Sequence, residues 1–233
     1  MKKLGLIGGT SWHSTIEYYR TINQAVNNHF GDNTNPPLLV YTMNQSAIHR
    51  LQKEDNWAAI AEEFITAAIS LQRAGAEAIM LCANTPHKIF DKVSSELNVP
   101  MIHIADATGK AIKTQGVGKV CFIGTKFTMA EDYLKDRISQ HDIEVLAPNN
   151  STEIDELHRI IHKELSYGNV VAESKVYVMN VIKAMLEQGA KGVILGCTEF
   201  PIMIASDDLD VPIFNTAEIH AKAGAEFILQ KYM

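Results

Sequence analysis

The chain repeats itself, and the repeat limits the folds open to it. The run Gly75-Ala76-Glu77-Ala78-Ile79-Met80-Leu81-Cys82-Ala83-Asn84-Thr85 aligns without gaps to Gly189-Ala190-Lys191-Gly192-Val193-Ile194-Leu195-Gly196-Cys197-Thr198-Glu199, at an offset of 114. Upstream, Leu4-Gly5-Leu6-Ile7-Gly8-Gly9 resembles Val120-Cys121-Phe122-Ile123-Gly124-Thr125, at an offset of 116. Downstream, Val99-Pro100-Met101-Ile102 resembles Val211-Pro212-Ile213-Phe214, at an offset of 112. Any two βα units look somewhat alike. Three blocks in the same order at nearly constant offset instead point to two homologous halves.

Each block holds a short, continuous apolar run, the mark of a parallel strand covered on both faces. Strands are expected at Leu4–Ile7, Leu38–Met43, Ala78–Leu81, Met101–Ile104, Val120–Ile123 and Val193–Leu195. Helical periodicity fills Thr15 to Phe30, Trp57 to Ala74, Ile154–Leu165, Glu173–Gln188 and Thr216–Lys231. The alternation predicts an α/β fold of two pseudo-symmetric lobes, each a parallel sheet flanked by helices. The expected division is 1–98 plus 212–233 for the first lobe and 99–211 for the second. Ligands of parallel sheets bind beyond the carboxyl ends of the strands. Two such halves facing each other would bring Gly8–Ser11, Asn84-Thr85, Gly124-Thr125 and Cys197–Glu199 to one interlobe cleft.

Composition narrows the class of function. Lys+Arg is 21 against Asp+Glu 27, a net charge of −6, where a nucleic-acid binder needs a basic face. No apolar run reaches the ~18 residues of a membrane span, and Leu4–Gly9 is too short for a secretory core. The cysteines number 3, odd and sparse, which suits a reducing compartment rather than a disulfide framework. The sequence therefore reads as a soluble, cytoplasmic protein with no nucleic-acid or membrane partner.

Cys197 is the sharpest chemical signal. It follows a buried strand and a glycine and precedes a turn, where a thiol near a helix start has a lowered pKa and serves as base or nucleophile. Ser11, Asn84, Thr85, Thr125, Thr128 and Thr198 also sit at or just after strand ends. Hydroxyls, an amide and backbone N–H groups there suit a carboxylate or phosphate, although the same residue types cap helices. Gly8-Gly9-Thr10 has neither the G-x-G-x-x-G nor the Walker spacing, so no nucleotide fingerprint is present. No H-E-x-x-H or C-x-x-C occurs among the histidines and cysteines, so no metal site is expected. His13 and His87 lie nearest the strand-end loops.

Four motifs together resemble the aspartate/glutamate racemase superfamily of cofactor-independent amino-acid racemases: Gly8-Gly9-Thr10-Ser11-Trp12, Asn84-Thr85-Pro86-His87-Lys88, Gly124-Thr125 with Thr128, and Gly196-Cys197-Thr198-Glu199. The branch most similar is the broad-specificity group close to bacterial aspartate racemases. The resemblance covers essentially the whole chain. It implies two α/β lobes with the active site between them, a homodimer, an amino-acid substrate, and no cofactor. It also implies two thiols, one on each face of Cα, as base and acid. Cys197 matches one thiol, and Thr198 and Glu199 match positions lining the site, as do Ser11, Asn84, Thr85, Thr125 and Thr128. Arg50 and Lys126 are candidates for a side-chain carboxylate.

The other thiol departs from the pattern. The family's cysteine immediately precedes Asn-Thr, and here that residue is Ala83; Cys82 stands one position earlier. The internal repeat agrees, pairing Cys197 with Ala83 and Cys82 with Gly196. Adjacent strand residues point to opposite faces, so Cys82, the remaining candidate for the second thiol, is expected to turn away from the substrate. The expected function is a racemase of aspartate, glutamate or a broader set of amino acids, weak or skewed toward proton exchange of one enantiomer, with Cys82 swung into the cleft, His13 or a bound water as the open choices for the second acid. The alternatives are a single-cysteine lyase or decarboxylase and a non-catalytic carboxylate binder on the same fold.

Overall fold

A computed structural model describes residues 1–230, in two compact units. The first comprises Met1–Ile104 and the segment from Ala217 onward; the second is Ala105–Thr216. In chain order the first unit contains β1 (Leu4–Gly8), α1 (Trp12–Phe30), β2 (Leu38–Thr42), α2 (Gln45–Lys53), α3 (Trp57–Arg73), β3 (Ala78–Leu81), α4 (Phe90–Ser94) and β4 (Met101–Ile102). The chain continues through α5 (Ile104–Thr114), β5 (Lys119–Gly124), α6 (Lys126–Ala130), α7 (Lys135–Ser139), β6 (Glu144–Leu146), α8 (Ser151–Lys163), α9 (Ala172–Glu187), β7 (Val193–Gly196), α10 (Phe200–Met203) and β8 (Ile213–Asn215). It ends with α11 (Thr216–Leu229), and the expected helix end at Lys231 lies outside the described residues.

The first sheet has the order β2-β1-β3-β4 and the second β6-β5-β7-β8, with every pair parallel. The registers reproduce the sequence repeat. Ile7 lies beside Leu81 as Ile123 lies beside Leu195, and Ile79 pairs with Met101 as Val193 pairs with Ile213. The fold is thus α/β, two parallel four-stranded sheets flanked by helices. The central strands β1, β3 and β7 are buried along their whole length because helices cover both faces. On one face of the first sheet Ile7, Ile79 and Leu81 pack with Ile60, Phe64 and Ala68 of α3. On the other, Leu4, Leu6 and Met80 pack with Tyr18 and Ile22 of α1 and Ala221 of α11.

The units divide at 104/105 and 216/217, not at the expected 98/99 and 211/212. Met101–Ile102 pairs with β3 and stays with the first sheet; Ile213–Asn215 pairs with β7 and stays with the second. The chain changes unit only after each edge strand has satisfied its backbone hydrogen bonds on its neighbour. The strand expected over Met101–Ile104 also stops at Ile102, and Ile104 already opens α5.

Candidate active site

In the second unit the carboxyl ends of β5 and β7 lie side by side, with Gly124 paired to Gly196. Both glycines are dictated by close approach. A Cβ on Gly196 would stand 2.2 Å from Phe122 Cζ, and one on Gly124 would stand 2.4 Å from Thr128 Oγ1. Cys197 follows β7 directly and is 7% exposed. Its Sγ–H donates to Glu199 Oε2 at 2.8 Å, and the Thr198 hydroxyl donates to the same oxygen at 2.8 Å. Glu199 is buried, with helical φ and ψ of −86° and −29°, and its carboxylate lies against the thiol.

This geometry reverses the expected electrostatics of Cys197. Burial pushes its pKa well above the ordinary thiol value, and the charge and hydrogen bond of Glu199 push it further. The N–H groups of Thr198 and Glu199 pull the other way and lose. α10 is four residues long and supplies no helix field to offset a carboxylate in contact. Cys197 therefore rests as a thiol, and the lowered pKa that a strand-end position can give is not realised here.

Thr128 is fully buried and its hydroxyl donates to Thr125 O at 2.9 Å. With that hydrogen used, the 3.2 Å contact between the two hydroxyls has Thr125 donating to Thr128. Thr128 thus braces the Gly124-Thr125 turn from within. The Lys126 ammonium pairs with Asp155 at 2.8 Å, and its backbone N–H donates to His158 Nδ1 at 3.2 Å.

In the first unit the matching strand ends are those of β1 and β3. Ser11 caps α1, its Oγ accepting from Ser14 N at 3.5 Å. Gly9 turns with φ +83°, where a Cβ would meet the backbone of Met43 at 2.3 Å. Ser14, which the sequence reading did not single out, donates its hydroxyl to Cys82 O at 2.6 Å and ties α1 to the end of β3. Its signal was its place three residues after the cap.

Cys82 is 1% exposed and packs among Leu4, Tyr18, Ile22 and Ala221. Burial raises its pKa far above the ordinary value, so its thiol is a core side chain. Cys121 is buried inside β5 and pushed up to about 12 for the same reason. Asn84 is buried, and the half-buried Thr85 opens a 3-10 turn over Thr85–Ile89. His87 in that turn is buried and hydrogen-bonded within the fold, whereas His13 is exposed on α1 beside Trp12. Arg50 is exposed on α2, along with Ser46 and Lys53.

Among the described residues no group of three or more His, Cys, Asp or Glu side chains is placed to hold a metal ion, and no helix is long and apolar enough to cross a membrane. The second unit thus presents hydroxyls, glycines and a carboxylate-bound thiol at the ends of parallel strands, groups able to give and take a proton. Residues 7–224 match the family of Asp/Glu/hydantoin racemases, and the chain belongs to that family.

Among solved structures it resembles a candidate Asp/Glu racemase of Yersinia pestis, with 42% identity, a TM-score of 0.92, and coverage of 99% of this chain and 100% of that one. An aspartate racemase homologue from Pyrococcus horikoshii shares 40% identity at a TM-score of 0.85, covering 98% and 99%. The broad-specificity amino-acid racemase RacX of Bacillus subtilis is 22% identical over 176 residues, 68% of each chain.

Proposed function

We propose that the protein acts on the α-carbon proton of free amino acids, aspartate, glutamate or a wider set, with Cys197 as the acid/base and no cofactor. The observation that carries the reading is the 2.8 Å hydrogen bond from Cys197 Sγ to the buried Glu199 carboxylate, at the end of a central strand. Racemisation takes the α-proton from one face of Cα and returns one to the other. In the proposed step the thiol proton passes to Glu199 Oε2, and the resulting thiolate takes the α-proton. The electron pair left on Cα spreads into the α-carboxylate as an enediolate, held by hydrogen-bond donors around Thr198. Return of the proton reverses each transfer.

Ala83 has no proton to give, so the exchange is one-sided and inversion is slow. Asn84, Thr85 and Ser11 are the proposed carboxylate contacts of the first unit, and Thr125 and Thr198 those of the second. Thr128 acts by bracing Thr125. Arg50 is the proposed partner of a side-chain carboxylate. The same reading takes the protein to be a cytoplasmic homodimer.

Ala83 also favours a second reading, a single-cysteine decarboxylase. There a C–C bond breaks, CO2 leaves, and the Cys197 S–H protonates the carbanion. Incubation of L- and D-aspartate and glutamate in deuterated water, followed by NMR at Cα, separates the readings. Deuterium uptake from one enantiomer, with little inversion, is expected. Fast inversion of both enantiomers would overturn the one-sided mechanism. CO2 release from malonate-type acids without amino-acid exchange would favour the decarboxylase. Binding of amino acids with neither reaction would leave a carboxylate binder.

A further inference from the structure

We infer that His87 is the positioning residue of the Ala83–Thr85 turn, its imidazole standing where the hydrogen-bond ladder between β3 and β4 gives out. The structural part of this inference is independent of the proposed activity; its consequence for catalysis rests on that turn contacting substrate.

The β3–β4 ladder is short. It pairs Ile79 with Met101 and Met80 with Ile102 and goes no further. In the second unit the equivalent ladder runs one pair longer, to Leu195 with Asn215, and Thr216 Oγ1 adds a hydrogen bond to Leu195 O at 2.9 Å. The first unit spans the corresponding gap with a side chain. His87 Nδ1 lies 2.9 Å from Ala83 O, and the Ile104 backbone N–H donates to Nε2 at 3.2 Å. A backbone amide can only donate, so Nε2 carries no proton. The neutral ring then holds its hydrogen on Nδ1 and donates it to the Ala83 carbonyl. One imidazole thus joins Ala83, the second residue after β3, to Ile104, where the chain leaves the first unit.

The ring is locked. His87 is 3% exposed and stacks on Phe90 at 5.7 Å between centroids and 9° between planes. His103 and His220 meet it edge-on at 4.6 and 5.6 Å. His220 has a fixed tautomer too: its Nε2–H donates to Ile102 O at 2.8 Å, so Nδ1 accepts the Tyr18 hydroxyl at 2.8 Å. The peptides flanking His103 are therefore held by two different imidazoles. Both nitrogens of His87 are committed to backbone groups, which excludes it as the missing second acid and leaves it the task of aiming Ala83, Asn84 and Thr85. The repeat offers no counterpart, since the position 114 residues on is Pro201.

Two variants and a spectrum test this. His87→Phe keeps a ring on Phe90 and loses both hydrogen bonds; His87→Asn places an amide N–H near the Nδ1 position and restores the donor to Ala83 O. In the wild-type protein, 15N NMR is expected to show the imidazole protonated at Nδ1 alone down to pH 6. The Asn84 and Thr85 amide signals are expected to shift in His87→Phe and return toward wild type in His87→Asn. In α-proton exchange of aspartate, His87→Phe is expected to raise KM roughly tenfold or more through misplacement of the turn, with kcat changed less and His87→Asn recovering most of the loss. A ring protonated at Nε2 at rest, or amide signals and KM unchanged in a folded His87→Phe protein, would overturn the inference. If the wild-type protein exchanges no amino acid, the proposed function fails by itself, and the imidazole and amide spectra still decide the role of His87. Should His87→Phe not fold, the wild-type tautomer and the His87→Asn spectra decide it.

Discussion

Cys197 and Glu199 are two residues apart in sequence and 2.8 Å apart from Sγ to Oε2. On a strand, residues i and i+2 stand roughly 6.6 Å apart on the same face. Only the turn that begins at Cys197 closes that distance, and in closing it the turn makes the thiol an acid at rest with its proton acceptor in contact.

Replacing Cys197 by Ser is expected to lower α-proton exchange by about 10²- to 10⁴-fold, the usual worth of a positioned acid/base. Hydrogen–deuterium exchange of aspartate followed by NMR measures it, with the thermal midpoint as a check on folding. Cys82→Ala is the control. Its thiol lies in the core, so exchange should stay within about twofold while stability falls by about 1 kcal/mol for the lost buried atom. A Cys197→Ser protein as active as wild type would remove Cys197 from the mechanism.

The Glu199 carboxylate raises the Cys197 pKa by its charge and by its hydrogen bond. Glu199→Gln removes the charge, so the thiol pKa falls and more thiolate is present at any pH below it. Iodoacetamide labelling of Cys197, read by mass spectrometry across pH 6 to 10, is expected to shift to lower pH. The rate at a given pH should rise about threefold for each pKa unit removed, since the gain in thiolate is partly offset by its lower nucleophilicity. The same substitution is expected to slow α-proton exchange, because the thiol loses its acceptor. Faster labelling with undiminished exchange would separate Glu199 from the chemistry.

Ala83 is the residue the repeat pairs with Cys197. Ala83→Cys is expected to add an acid/base on the first unit and convert one-sided exchange into inversion. Circular dichroism of L-aspartate solutions, falling toward zero with time, reports it. A variant that labels at position 83 yet gains no inversion would show that a cysteine there is not in reach of Cα.

Gly196 has the Phe122 ring 2.2 Å from the position a Cβ would take. Phe122 is fully buried in β5, and protein interiors are packed closely enough that a displaced ring meets other atoms. Gly196→Ala is expected to cost about 1–3 kcal/mol through overpacking. The thermal midpoint should drop by several degrees, as differential scanning calorimetry would record.

His87 is held neutral, its pKa well below the ordinary 6.5, by burial first and then by the fields of His103 and His220. Above about 6.5 the folded and unfolded chains are both neutral at this residue. Below it the unfolded chain binds a proton that the folded ring refuses, so stability falls with pH until the folded pKa is reached. Chemical denaturation between pH 7 and 5 is expected to show this loss. His87→Asn, with no titrating ring, is expected to flatten it. An equal slope in both proteins would place the acid sensitivity elsewhere.

Much of the fold was legible because its signals are local. Continuous apolar runs at Leu4, Ala78, Val120 and Val193 became β1, β3, β5 and β7, and the constant offset between them became matching strand order and register. Boundaries were less legible. α1 begins at Trp12 rather than Thr15, since the Ser11 cap satisfies its first turn. β6, three residues of mixed polarity, is an edge strand specified by its pairing with β5 more than by its own pattern. α2 was unread because its only buried residue is Ile48, which leaves no apolar face to count.

The sequence by itself determined that the chain is an α/β protein with a duplicated plan, that a cysteine stands at one strand end, and that alanine stands at its counterpart. These are matters of residue identity and period, which survive without knowledge of contacts. The tertiary structure alone decided the state of the two thiols. Whether Cys197 is acid or base depends on desolvation and on a carboxylate at hydrogen-bond distance, and whether Cys82 is a reagent or a core side chain depends on which face of β3 it occupies. Hydrogen bonds and the cost of burying charge act over a few ångströms of space, and spacing along the chain does not encode that distance once the backbone turns.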